Sequence, residues 1–125
     1  MAEKYLYFRG DATLTSDDDA ADGSNVYPLS SFKGMESVSD TTIELFFAQK
    51  HNSFAGGHDD ATFGINDSVV LTVGTNNQKA VMQGLTEAFV LSKEVFLVVA
   101  DDVTGDYLVG DISQCADFTV QADNA

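Results

Sequence analysis

The sequence predicts an α+β fold: a mostly antiparallel β-sheet, or a partly closed barrel, with one main helix at about 76–91 packed on one face. Three observations predict it. Short apolar runs recur with a period of two along most of the chain, which is strand patterning. One segment alone carries apolar residues at helical spacing. The composition, 44% hydrophobic with nine Phe and four Tyr, is rich enough for a packed core. At 125 residues the chain suits a single globular domain, 1–125.

Residues 4–9 alternate Tyr5 and Tyr7 on one face with Leu6 and Phe8 on the other, a strand whose faces are both partly apolar. Residues 12–15 are expected to continue it after Gly10. Residues 16–25 are small and acidic and predict a surface loop. Residues 26–35 are ambiguous: Pro28 argues against a central strand, and 30–34 read equally as a short extended piece or a turn. Residues 41–50 predict a strand that sets Ile43 and Leu45 opposite Glu44. Residues 51–63, with Gly56 and Gly57, predict a second loop.

Residues 67–74 predict a strand with Val69, Leu71 and Val73 on one face and Val70 and Thr72 on the other. Thr75 and Gln78 have capping-box spacing, so the helix is expected to start at Asn76. Val81, Leu85, Ala88 and Phe89 form its apolar stripe. Gly84 costs about 1 kcal/mol against Ala inside a helix, which suggests close packing against a sheet there. The run at 95–100 predicts the most buried strand. Gly105 predicts a hairpin, with 107–112 as the returning strand and 116–122 as a last strand placing Phe118 and Val120 inward.

Charge narrows the function. The chain holds 20 Asp and Glu against 6 Lys and Arg, a net charge of -14. Such a surface repels nucleic-acid backbones and anionic membranes. The basic residues Lys4, Arg9, Lys33, Lys50, Lys79 and Lys93 form no patch. No signal-peptide pattern and no run of membrane-spanning length appears.

The chemistry-bearing residue types do not assemble into a motif. Asp17, Asp18, Asp19 and Asp22 approach an EF-hand register, but Ala20 and Leu29 stand where ligands are needed. His51 and His58, near Asp59 and Asp60, match no zinc spacing. Asp101 and Asp102 follow a strand and are expected to be solvated hairpin acids. Cys115, the single cysteine, is expected to be a small buried residue. Arg9-Gly10-Asp11 and the sequon at Asn66 are chance matches. The sequence therefore identifies no catalytic, cofactor-binding or metal-ligating residue and predicts no enzyme and no cofactor.

The second half carries a resemblance. Residues 66–73 (Asn-Asp-Ser-Val-Val-Leu-Thr-Val) precede a helix at 76–89, then 96–108 (Phe-Leu-Val-Val-Ala-Asp-Asp-Val-Thr-Gly-Asp-Tyr-Leu) and 111–115 (Asp-Ile-Ser-Gln-Cys). This order resembles small virion structural proteins of marine tailed bacteriophages, especially those infecting cyanobacteria. The resemblance implies a capsid decoration (cement) or accessory head protein, a homo-oligomer assembled in many copies in the host cytoplasm and carried on the virion. Its implied partners are the major capsid protein or other virion proteins, with no direct nucleic-acid or membrane contact. Tyr5, Tyr7, Phe8 and Phe32 are candidate contact aromatics, with ordinary core positions the equal alternative, and the loops at 16–25 and 51–63 are the expected surface decoration. The alternative use of the same charge is an acidic DNA mimic that inhibits a host nucleic-acid-binding protein. Ordered rows of acids would favour mimicry; an apolar patch would favour assembly.

Overall fold

Apolar alternation and one helical stripe produce two four-stranded sheets and a single helix in the computed structural model, which describes residues 3–10, 24–48 and 66–119. The elements run β1 (Tyr5–Arg9), β2 (Ser24–Pro28), β3 (Phe32–Ser39), β4 (Thr42–Phe47), β5 (Asp67–Val73), α1 (Gln78–Leu91), β6 (Phe96–Asp101), β7 (Asp106–Tyr107) and β8 (Ile112–Thr119). The first sheet has the order β2-β1-β6-β7 and the second β3-β4-β5-β8. All pairings are antiparallel except β1 with β6. The fold is thus α+β and mostly antiparallel, as two open sheets and not a closed barrel.

The two inner faces and the helix share one core. Leu6, Phe8, Tyr27, Leu97 and Val99 come from the first sheet, and Ile43, Leu45, Phe47, Val69, Leu71 and Val73 from the second. Val81, Leu85 and Phe89 come from α1. Tyr27 and Phe47 stack across the sheets with ring centroids 4.4 Å apart. Phe8 meets Phe47 edge-on, and Phe32 meets Phe89 edge-on. Aromatic pairs in these geometries add to the gain from burial alone.

Several sequence expectations change. The helix begins at Gln78, and Asn77 at its N-cap makes no side-chain cap bond. Asn76 stands at φ 60, in the left-handed region, so Thr75 lies in a turn and is not a cap. Gln78 donates instead to the Ser39 carbonyl, and Asn77 to Asp111 at 2.8 Å. The return after the hairpin is only two residues long. Leu108, Val109, Gly110 and Asp111 then carry the chain away to β8 in the second sheet.

The run at 95–100 is not uniformly buried: Val95 and Phe96 keep 50% and 52% of their surface exposed. A bulge opposite Tyr7 and Phe8 buries Val99 and Ala100 consecutively, which accounts for the apolar continuity without two dry faces. Pro28 ends an edge strand, as its missing donor requires. Gly105 takes φ 78 in the predicted hairpin. The expectations for 12–15, for most of the two loops and for Val120 lie outside the described residues, as does the side chain of Phe118.

Candidate interaction surface

The period of two in β1 turns Leu6 and Phe8 into the core and Tyr5 and Tyr7 outward. Register then decides their neighbours. Tyr5 lies opposite Pro28 on one side and Phe96 on the other. Tyr7 lies opposite Val26 and Val98. The Tyr7 and Phe96 rings are in contact, with centroids 5.3 Å apart. Tyr5, Tyr7, Val26, Pro28, Phe96 and Val98 therefore form one uncharged strip on the outer face of the first sheet. All six are partly or largely exposed.

The strip is neutral at its end. Arg9 donates from Nε to Asp101 Oδ1 at 2.9 Å and from Nη2 to Oδ2 at 3.0 Å. Asp101 also accepts the amides of Val103 and Thr104, closing the hairpin. Burial alone would raise its carboxyl; the Arg9 guanidinium and the turn amides outweigh it and hold it below the ordinary value. Beyond this pair Asp106 stands exposed on β7.

At the opposite end the Tyr5 amide donates to the Val95 carbonyl at 2.8 Å. Lys4 caps the helix C-terminus there, donating to the Phe89 carbonyl at 2.7 Å. Val90 and Leu91, in the last turn of α1, keep 70% and 74% of their surface exposed.

The second sheet presents a different outer face. Glu36, Glu44, Val70 and Asp117 are successive register partners across its four strands. Three carboxylates thus cross one row, with Glu36 directly opposite Glu44, a pairing that costs stability. Among the described residues the outer face of the first sheet carries the uncharged strip and that of the second carries this row of carboxylates.

Each residue singled out in the sequence now has a place. Asp101 is buried in its ion pair, and Asp102 accepts the Tyr107 hydroxyl at 2.7 Å and the Cys115 amide at 2.9 Å. Neither is a solvated acid, because the two-residue β7 folds the chain back over them. Burial, then the Asp102 hydrogen bond, pushes the Tyr107 hydroxyl up to about 12. Cys115 is buried as expected, and burial pushes its thiol up, with Asp102 adding to the effect. Of the contact aromatics, Phe8 is wholly in the core and Phe32 packs against it, while Tyr5 and Tyr7 lie on the outer strip. Arg9 is engaged by Asp101, and Asp67 and Ser68 of the sequon are buried in β5.

Asp17, Asp18, Asp19, Asp22, His51, His58, Asp59 and Asp60 lie outside the described residues. Among the described residues no group of three or more His, Cys, Asp or Glu is placed to hold a metal ion. Among them, too, no helix is long and apolar enough to cross a membrane. The sequence reading missed Phe96 as a surface aromatic; its strand register against Tyr5 was the missing signal. No known protein family, curated protein or solved structure matches the chain.

Proposed function

We propose that this chain is a structural subunit of a bacteriophage virion, a capsid decoration or accessory head protein present in many copies, with no catalytic role. The observation that carries the reading is the outer strip of Tyr5, Tyr7, Val26, Pro28, Phe96 and Val98. In a chain of net charge -14, an uncharged aromatic face is where a neighbour can approach with least repulsion. Partly exposed Tyr and Phe are the residue types that dominate protein interfaces. The acidic face of the second sheet then points away from the attachment surface. The resemblance of residues 66–115 to phage virion proteins supplies the setting.

Mass spectrometry of purified virions is the test. The chain is expected at a copy number tied to capsid or tail symmetry, and its absence from virions rejects the proposal.

The row Glu36, Glu44 and Asp117 favours a second reading, an acidic DNA mimic. Val70 interrupts that row, and Thr42, Thr72 and Gln114 occupy the next one, so the carboxylates do not continue at phosphate spacing. Salt-sensitive binding to a nucleic-acid-binding protein, abolished by Glu44→Gln with Asp117→Asn, would establish mimicry instead.

A further inference from the structure

Helix α1 and the edge strand β3 are tied together at both ends and apart in the middle. At one end Gln78, the first helical residue, donates to the carbonyl of Ser39, the last residue of β3. At the other the Phe32 ring, at the start of β3, meets Phe89 near the helix end. The helix therefore runs antiparallel to β3. Between the two ties lies a groove of about 580 Å³, lined by Ser37, Lys79, Met82, Gln83, Thr86 and Glu87. The groove is shallow and open to solvent, and Ser37 is its one lining residue from β3.

The wall opposite the helix is the edge of β3. Among the described residues β3 pairs with β4 alone, so within them its other edge has no strand partner along 34–37. Bulges flank the stretch from Gly34 to Ser37, which keeps regular register with β4. Of the inward-facing residues there, Ser37 is small and leaves the groove open beside Met82.

Charge gives the groove a direction. Lys79 stands at the Ser39 end and Glu87 at the Phe32 end, eight residues apart, or about 12 Å along a helix. Gln83 donates to the Glu87 carboxylate at 3.2 Å and orients it. In an extended chain the first and fifth residues lie about 13 Å apart and point to the same side. A strand added antiparallel to β3 runs the same way as α1. Its first residue then faces Lys79, its third Met82 and its fifth Glu87.

We infer that the groove between β3 and α1 binds an extended peptide segment of a partner protein, added as a fifth strand on β3, with an acidic, an apolar and a basic side chain at alternate positions. This is strand addition with a side-chain groove for register. It does not depend on whether the chain is a virion component.

The probe is a blocked pentapeptide, acetyl-Glu-Thr-Leu-Thr-Lys-amide, titrated into the full chain while amide resonances are followed by NMR. Shifts centred on residues 34–37 and on Met82 and Thr86 are expected, with slowed hydrogen exchange at the β3 edge. The peptide with Glu and Lys exchanged is expected to bind roughly fivefold more weakly, the scale of two exposed charge pairs. Thr86→Trp, at an exposed helix position, fills the groove and is expected to abolish binding with an unchanged circular dichroism spectrum. Equal binding of both peptides, or shifts confined to the β8 edge, overturns the inference. So does self-association of the chain through β3, which makes a second copy the occupant.

Discussion

The Tyr27 hydroxyl of the first sheet donates to the Asp67 carboxylate of the second at 2.8 Å, with both residues buried. The same ring stacks on Phe47, which is Asp67's register partner. One side chain therefore ties the sheets by contact and by hydrogen bond. Tyr27→Phe keeps the stack and removes the donor from a buried acceptor, at a cost of about 1–3 kcal/mol. Tyr27→Ala loses both and is expected to cost about 3–5 kcal/mol. Urea unfolding at pH 7 measures each; equal losses would mean that the ring contact contributes little.

The same pair sets an alkaline limit. Burial, then Asp67, raises the Tyr27 hydroxyl above its ordinary 10.0, so the folded state favours the neutral phenol. Stability is fully present below pH 10 and is lost as pH rises toward the folded value. The gap in stability between the parent and Tyr27→Phe should narrow above pH 10, because the variant lacks this loss. Denaturant titrations from pH 8 to 12 check it; a constant gap would contradict the assignment.

On the acid side Asp101 acts in the opposite sense. Its carboxyl is held below the ordinary 3.8, so its stabilising contribution is present above that value and lost as pH falls through the folded one. Protonation of the other carboxylates meanwhile relieves repulsion in a chain of charge -14. Stability is expected to rise from pH 7 to about 5 and fall below about 4. Arg9→Met should cost about 1.5–3 kcal/mol at pH 7 and flatten the acid arm. Unfolding curves at pH 7, 5 and 3 test both statements.

How much was legible follows from which interactions are local. Strand periodicity grouped Leu6 with Phe8, Ile43 with Leu45, and Val69 with Leu71 on shared faces, because alternation reports a face directly. That all three faces turn inward is decided by the packing of the two sheets, which places Phe8, a candidate contact aromatic in the sequence, in the core. Val81, Leu85 and Phe89 followed from helical spacing for the same reason. The parallel pairing of β1 with β6 was invisible: it joins residues about ninety positions apart, and no local pattern encodes a partner. The outer strip depends on that pairing, so Phe96 could not be placed beside Tyr5. The Asp101–Arg9 pair was hidden likewise, and a run of hairpin acids read as solvated. Thr75 misled because Asn76 turns into the left-handed region, a backbone choice that competes with the cap.

Phe96→Glu tests the outer strip without disturbing the core. Phe96 keeps 52% of its surface exposed, and surface changes of this kind usually move stability by about 0.5 kcal/mol or less. Loss of its contact with Tyr7 can add to that. The chain should remain folded by circular dichroism yet fail to join virions in a complementation experiment. Normal incorporation of the variant would remove the strip from the attachment surface.

Gly84 decides whether the helix is held close by choice of residue. A Cβ added there would meet the Val109 side chain at 3.1 and 3.3 Å, from the turn between β7 and β8. Ala is favoured over Gly inside a helix by about 1 kcal/mol, so two effects oppose each other. Val109 is half-buried in a turn, and its Cγ atoms must shift by a few tenths of an ångström. Gly84→Ala alone is therefore expected to change stability by less than about 0.5 kcal/mol. With Val109→Ala the obstruction is gone, and the same substitution should stabilise by about 1 kcal/mol. The double-mutant cycle isolates the contact between the two sites. A coupling of zero would mean that the glycine is there for another reason than the approach of Val109.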